Sequence, residues 1–317
     1  MDLFIRGEAP LERAELNAWV GSPEVELLVA GSIGYTLQAF ARLGGTVEAC
    51  TTIGSDAFGS HIRQELEALG VDCHRMTQAS GATAIGIYMM LFGGTKRPLA
   101  IRMPGFEPWP DPPVLLDDGA PPPVLVHSGG LLHFPDMWHR GLAGAFERAR
   151  AAGAWTSIDP QFPLVDTPAP WLPHVADVVR HSDVLLCDEH EARMLFKVDD
   201  AFDALAPAHA AGPRIVAIKR GAAGALVSNG RRVLEQPAVP IDPALVREAV
   251  GAGDAFDAGF LDALVRGQDV AGAMRWGTAA ASLSLIGRGG AQGIPDRAAV
   301  EARLPDVPPA VQAGAAG

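Results

Sequence analysis

Hydrophobic positions along the chain follow two alternating rhythms. Ala- and Leu-rich stretches with helical spacing run up to a glycine, and runs of β-branched residues follow. "LQAFARLGG" ends at Gly44 before "TVEACTTIG", and "HIRQELEALG" ends at Gly70. "GLAGAFERARAAG" ends at Gly153 before "AWTSIDP", and "FDALAPAHAAG" ends at Gly212 before "PRIVAIKRG". "WLPHVADVVRHS" leads into "DVLLCDE". A glycine just past a helix relieves the left-handed turn that stops it. Strands that are apolar without alternation are buried on both faces, so they predict a parallel sheet covered by helices on each side. The units differ in length and wording, which indicates α/β winding and excludes a solenoid.

Two regions depart from this rhythm. Residues 2–8 and 83–103 read as short strands joined by a turn at Gly93-Gly94, and 24–30 is a candidate addition to them. They predict a small β lid that closes on substrate and excludes water. Residues 9–82 and 104–306 then form one main α/β domain that binds nucleotide and substrate. Residues 107–123 are a Pro-rich surface connection, and 307–317 are expected to fray.

Composition narrows the partners. The 317 residues are 48% hydrophobic and 20% charged, enough for a sizeable core. A net charge of −12 offers no excess to neutralise phosphates, which argues against nucleic acid and anionic membranes. Cys50, Cys73 and Cys187 are odd in number and lack CxxC spacing, as expected for a reducing compartment without structural zinc. The start has no secretory pattern, and the longest apolar stretch, 83–94, is too short to span a bilayer. The expectation is a soluble cytoplasmic protein. His127, His133, His139, His181 and His190 show no metal-ligand spacing and read as surface or satisfied histidines.

Polar residues gather where the predicted strands end, and in an open parallel sheet the ligand sits at the carboxyl ends. Asp159 follows "WTSI", Asp188 and Glu191 follow "VLLC", and Lys219 and Gly221 follow "IVAI". Any one of them alone is an ordinary cap or turn residue; together they outline one rim. The stretch "VGAGDAF" is more pointed. Gly251-Ala252-Gly253 turns tightly and exposes backbone N–H groups at the mouth of a helix from about Gly253 to Arg266, with Phe256, Phe260 and Leu264 at four-residue spacing and Gly267 as its stop. Such an end suits an anion. Asp254 there could be a cap, but a cap does not require small residues before it. A carboxylate beside an anion hole makes sense if it takes a proton from a hydroxyl that attacks a phosphoryl group held by those amides. Each such donor is worth on the order of 3 kcal/mol of barrier.

These residues resemble the PfkB, or ribokinase-like, family of sugar kinases. "GAGDAF" resembles its C-terminal signature, and "AGSIGYTLQAFARLGG" followed by "IGSDAFG" its N-terminal one. "DVLLCDEHEARML" resembles the Asn-x-x-Glu element, "AIKRGAAGALV" the Gly-x-x-Gly turn beside the nucleotide, and "AQGIPDRAAVEARL" the closing segment. The likeness runs in family order from Ala30 to Leu304. It implies a ribokinase-like fold: a doubly wound, mostly parallel sheet flanked by helices, with a small β lid. It implies ATP and Mg²⁺ as cofactors, with a monovalent cation as a further candidate, and a small sugar or sugar acid as acceptor. Asp254 would be the base, and Gly251, Ala252 and Gly253 the anion hole. Glu191 with Asp188 would organise Mg²⁺ through water. Lys219, Gly221, Gly224 and Thr278 would line the nucleotide groove. Asp2, Gly31, Ser32, Tyr35, Arg102 and Asp159 would face the sugar. Lids of this family often pair between subunits, so a homodimer is implied.

The chain also departs from the family pattern. The usual first strand with Gly-Asp is absent, and Asp2 stands as its second acid. Tyr35 holds the substrate-facing Asn position, or Thr36 with a one-residue shift. Glu248 and Ala249 replace the usual acid and Thr, Asp188 replaces the Asn, and Pro-Gln-Phe-Pro follows Asp159 where an Arg is expected. Two other readings accompany the sugar kinase: a nucleoside kinase that stacks its acceptor base on an aromatic ring such as Tyr35, and a non-catalytic sugar-binding or regulatory protein.

Overall fold

Gly44 and Gly70 take left-handed φ values of 79° and 80°, and each lies just beyond a helix end. The structure, a computed structural model, describes residues 2–7, 24–91, 99–103, 122–139, 141–247, 249–287 and 293–313. The Gly93-Gly94 turn, most of the 107–123 connection, residues 9–23, Glu248 and the last four residues lie outside them. Contacts divide the chain into two units: Met1–Glu107, Ile241–Ala255 and Ser282–Arg297 form one, and Pro108–Pro240, Phe256–Ala281 and Ala298–Gly317 the other. Residues 30–82, expected with the main domain, group with the expected lid strands.

In the first unit, β1 (Asp2–Gly7) pairs antiparallel with β2 (Glu24–Leu28). The two-stranded parallel sheet of this unit joins β3 (Thr52–Gly54) to β4 (Thr77–Ala79). β1 also pairs in parallel with β5 (Ile85–Leu91), which pairs antiparallel with β6 (Leu99–Met103). The resulting four-stranded sheet, in the order β2-β1-β5-β6, is made of the segments that broke the α/β rhythm. Helices α1 (Ser32–Arg42) and α2 (Ala57–Ala68) share a core with the β3–β4 region through Leu37, Ile53, Leu66, Val71 and Met76.

"IGSDAFG" becomes a lock in this unit. Asp56 caps α2 by accepting from the Gly59 N–H at 2.8 Å, and it also accepts the Thr83 hydroxyl at 2.6 Å and the Thr83 N–H at 2.8 Å. The Thr83 hydroxyl, then the Gly59 and Thr83 amides, hold its carboxyl below the usual range. A Cβ on Gly59 would sit 2.1 Å from the Gly54 carbonyl oxygen, so the turn closes only around glycine.

The second unit holds a sheet in strict chain order. β7 (Leu125–Gly129), β8 (Trp155–Asp159), β9 (Val184–Asp188) and β10 (Ile215–Lys219) run parallel. β11 (Ala225–Ser228), β12 (Val233–Gln236) and β13 (Val311–Gln312) continue it antiparallel. Helices α3 (Leu142–Ala151), α4 (Leu172–Arg180), α5 (Glu189–Phe196) and α6 (Ala201–Ala211) connect the parallel strands. Right-handed crossovers between neighbours in chain order put these helices on one face. Phe146, Ile158, Val175, Leu185, Leu195, Leu205 and Ile218 form that core. Full burial of each such side chain contributes about 1.5–3 kcal/mol.

The alternate strand residues Val184, Leu186, Ala217 and Val227 are fully buried too, so a second layer covers the other face. The long helices α7 (Ala252–Val265) and α8 (Val270–Ile286), followed by the shorter α9 (Arg297–Arg303), supply helical mass outside the first layer. Every residue of α7 from Asp254 to Leu264 is buried, the signature of an interior helix. Residues 307–313, expected to fray, are instead held. Leu234 pairs with Gln312, Glu235 pairs with Val311, and Val307 and Ala313 are buried. A two-residue strand has no periodicity for a sequence reading to catch.

Candidate active site

Each unit carries its own set of the residues singled out by sequence. In the first, Gly31 stands at the N-cap of α1 with φ 80°, and open space surrounds the position its Cβ would take. Ser32 follows in the first turn. Its Oγ is buried without a hydrogen-bond partner among the described residues, in a residue only 8% exposed. Tyr35 is buried as well, and its ring packs where Gly251 passes: a Cβ on Gly251 would lie 3.2 Å from the ring. That approach, with φ 84°, explains the glycine before α7. Thr36 turns inward and donates to the Ser32 carbonyl at 2.9 Å.

α7 starts at Ala252, one residue before the expected Gly253. Asp254 is therefore in its first turn, where backbone N–H groups lack intrahelical acceptors and the helix dipole is positive. Asp2 and Arg102 occupy one cross-strand row of the four-stranded sheet, each paired with Gly86. Their side chains are outside the described set.

In the second unit the parallel strand ends meet. Lys219 closes β10, and its Nζ donates to Asp159 Oδ2 at 2.6 Å and to both carboxylate oxygens of Asp257 at 3.0 Å. Burial alone would raise Asp159 and lower Lys219. The attraction between them, joined by Asp257, outweighs it, so the Asp159 carboxyl is held below its usual range and the Lys219 ammonium above.

At the end of β9, Asp188 and Glu191 form a reciprocal cap of α5. The Glu191 N–H donates to Asp188 Oδ1 at 2.7 Å, and the Asp188 N–H to Glu191 Oε2 at 2.7 Å. Burial, then the neighbouring Asp159 and Asp188 charges, push the Glu191 carboxyl well above the usual range. Asp188 and Glu191 offer carboxylate oxygens, the kind of donor a divalent cation takes.

Gly221 and Gly224 shape the tight link from β10 to β11. Gly224 has φ 87°, and a Cβ there would stand 1.9 Å from the Gln236 carbonyl oxygen. Gly221 has φ 55° with nothing near its Cβ position, so it faces open space. Thr278 lies buried on α8.

Sequence reasoning passed over two residues. Asp257 sits in an apolar helix three residues after Asp254, and a charge in an interior helix signals a buried partner. The sequence marks His127 only as a surface or satisfied histidine. Its Nδ1 meets Ser157 Oγ at 2.9 Å, while its buried Nε2 has no partner among the described residues. Burial above all, with Lys219 adding to it, lowers its pKa from 6.5 to about 4. Between these values the unfolded chain takes up a proton that the native state refuses. Stability from this group is complete above pH 6.5 and is lost as the pH falls towards 4, by roughly 3 kcal/mol. Thermal melts from pH 7 to 4 should show a loss that His127→Gln largely removes; an identical slope in the variant assigns the loss elsewhere.

Away from these residues, Glu48, Asp72 and His74 bring ligand atoms within 4.8 Å on an exposed surface, where Arg75 already pairs with Glu48. Among the described residues, no helix is long and apolar enough to cross a membrane.

Fold and family likeness together define a ribokinase-like α/β enzyme, a phosphotransferase with an alcohol group as acceptor. Its structure matches the ribokinase of Arabidopsis thaliana complexed with ribose and ATP at a TM-score of 0.75, with 22% identity, over 96% of this chain and 95% of that one. A putative ribokinase II from E. coli in complex with ATP and Mg²⁺ matches at 0.76, with 19% identity and 96% of both chains covered. The ribokinase of Bacillus subtilis is 35% identical over 304 residues, 96% of each chain. The family model described as pfkB family carbohydrate kinase matches residues 13–297, and the chain belongs to that family.

Proposed function

We propose that the protein transfers the γ-phosphoryl group of ATP to a hydroxyl of a small sugar or sugar acid, in one in-line step, with Asp254 as the base. The observation that carries this reading is the start of α7. A left-handed glycine leads into a first turn of small residues around Asp254, at the start of a buried helix that also carries Asp257 and Asp262. Asp254 accepts the hydroxyl proton as the oxygen attacks. The Gly251, Ala252 and Gly253 amides hold the charge that develops on the transferring group. Gly31 and Ser32, with Asp2 and Arg102 of the four-stranded sheet, form the sugar side, and the unpartnered Ser32 Oγ is a hydrogen-bonding group for a sugar hydroxyl.

Gly221, Gly224 and Thr278 form the nucleotide side. The related E. coli protein was solved with ATP and Mg²⁺, and here Glu191 and Asp188 would hold that ion through water. Bound Mg²⁺ supplies charge neutralisation along the phosphates. A monovalent cation belongs to the same reading as an activator.

Likeness to a Bacillus subtilis ribokinase makes ribose the first acceptor to try. The nucleoside reading has two grounds, Tyr35 as a stacking platform and the missing Arg after Asp159, and the second still stands. A ring 4% exposed and packed against Gly251 does not offer a face to a base. A homodimer through the four-stranded sheet is favoured by its edge strand β2, which leaves Val25 and Leu27 exposed.

The test is ADP release over a panel of pentoses, hexoses, sugar acids and nucleosides, with Mg²⁺ and with or without K⁺, on samples whose mass is read by light scattering. Sugar-dependent ADP release from a dimer is expected. Release with nucleosides alone, or a monomer, overturns the corresponding part.

A further inference from the structure

Lys219 is where three elements of the second unit meet. It ends β10, Asp159 ends β8, and Asp257 lies in α7. An ammonium group has three N–H donors. Here three carboxylate oxygens match them, at 2.6, 3.0 and 3.0 Å, with the lysine side chain 13% exposed and the aspartates 2% and 1%. A lysine engaged in this way has no donor left for a phosphate, although its place beside the Gly221–Gly224 link suggests one. Buried ion clusters add little net stability over apolar side chains of the same volume, so what they contribute is definite geometry.

We propose that Lys219 is a positioning residue, not a nucleotide ligand, and that with Asp159 and Asp257 it clamps α7 so that the turn carrying Asp254 is held in place. The inference rests on the reading of Asp254 as the base. Asp257 follows Asp254 by three residues on one continuous helix, about 4.5 Å along the axis and within one turn. Sliding or rotation of α7 moves both acids together. A grip on Asp257 therefore sets where the base points, and an error of about 1 Å at a reacting group can cost on the order of 100-fold in rate. The clamp also fixes α7 to two strand ends at once, since Asp159 anchors the lysine from β8.

The experiment is steady-state kinetics on Lys219→Met, Asp257→Asn and Asp254→Asn, with circular dichroism as the check on folding. Lys219→Met should lower kcat by about 10- to 100-fold and keep the KM for ATP within about threefold. Asp257→Asn keeps the volume, retains one acceptor for Lys219, and should fold even if the methionine variant does not. Its kcat should fall in the same direction by a smaller factor, again at constant KM for ATP. Two results overturn the clamp: a KM for ATP raised tenfold or more at unchanged kcat, or unchanged kinetics with only a lower melting temperature. If Asp254→Asn is inactive in the same series, those results sink the clamp and leave the base standing. Full activity in Asp254→Asn sinks both.

Discussion

Asp254→Asn lowers turnover by about 10²–10⁴-fold and leaves the KM of the acceptor within a few-fold. The amide has the shape of the carboxylate but cannot accept the hydroxyl proton. Asp254 is 8% exposed in the first turn of an interior helix, so the substitution leaves the surrounding packing in place. The substitution keeps the side-chain volume and adds no new atom to the packing, so the fold should survive it. The melting temperature of the variant should therefore match that of the wild type within a few degrees. Turnover within about threefold of wild type would remove Asp254 from the role assigned to it.

Gly224→Ala is expected to damage the second unit most among single changes at the proposed nucleotide side. With φ 87° and ψ −132° Gly224 lies outside the left-handed helical well, in a region open essentially to glycine alone, which costs an alanine about 1–2 kcal/mol. The new methyl carbon would meet the Gln236 carbonyl oxygen at 1.9 Å and the Ala238 nitrogen at 2.7 Å, both backbone atoms that cannot swing away. Relieving that overlap adds about 1–3 kcal/mol, so a loss of about 2–5 kcal/mol and weaker nucleotide binding should appear together in thermal melts with and without an ATP analogue. Gly221→Ala is the contrast. Its Cβ enters open space, so stability should fall by about 1–2 kcal/mol at most. Equal melting losses in the two variants would contradict this account of the turn.

How much of this was legible in the sequence depends on the range of the interactions. Helix ends were, because a glycine beyond the last turn acts locally: Gly44 and Gly70 stop α1 and α2 as expected. The strand-end residues were, because apolar runs such as "VLLC" and "IVAI" place the next polar residue at the carboxyl edge. The buried ion cluster was not. Lys219 and Asp257 are 38 residues apart, and only the packing of α7 against the end of β10 pairs them. His127 has no signal beyond being polar in a short strand, yet burial sets its chemistry. The antiparallel half of the large sheet was also hidden, since β11, β12 and β13 hold four, four and two residues. Asp56 was legible only as part of a motif. Its contact with Thr83, 27 residues on, shows the motif to be a lock between turns.

The most direct test of the account follows the phosphorus itself. Wild type and Asp254→Asn are each incubated with Mg²⁺, ATP and ribose or the best acceptor from the panel, and the products are resolved by phosphorus NMR. Formation of a sugar phosphomonoester by the wild type, with almost none from the folded variant in the same time, is the predicted result. A phosphomonoester formed equally fast by both proteins, or ADP accumulating in the wild type with free phosphate and no ester, would contradict it.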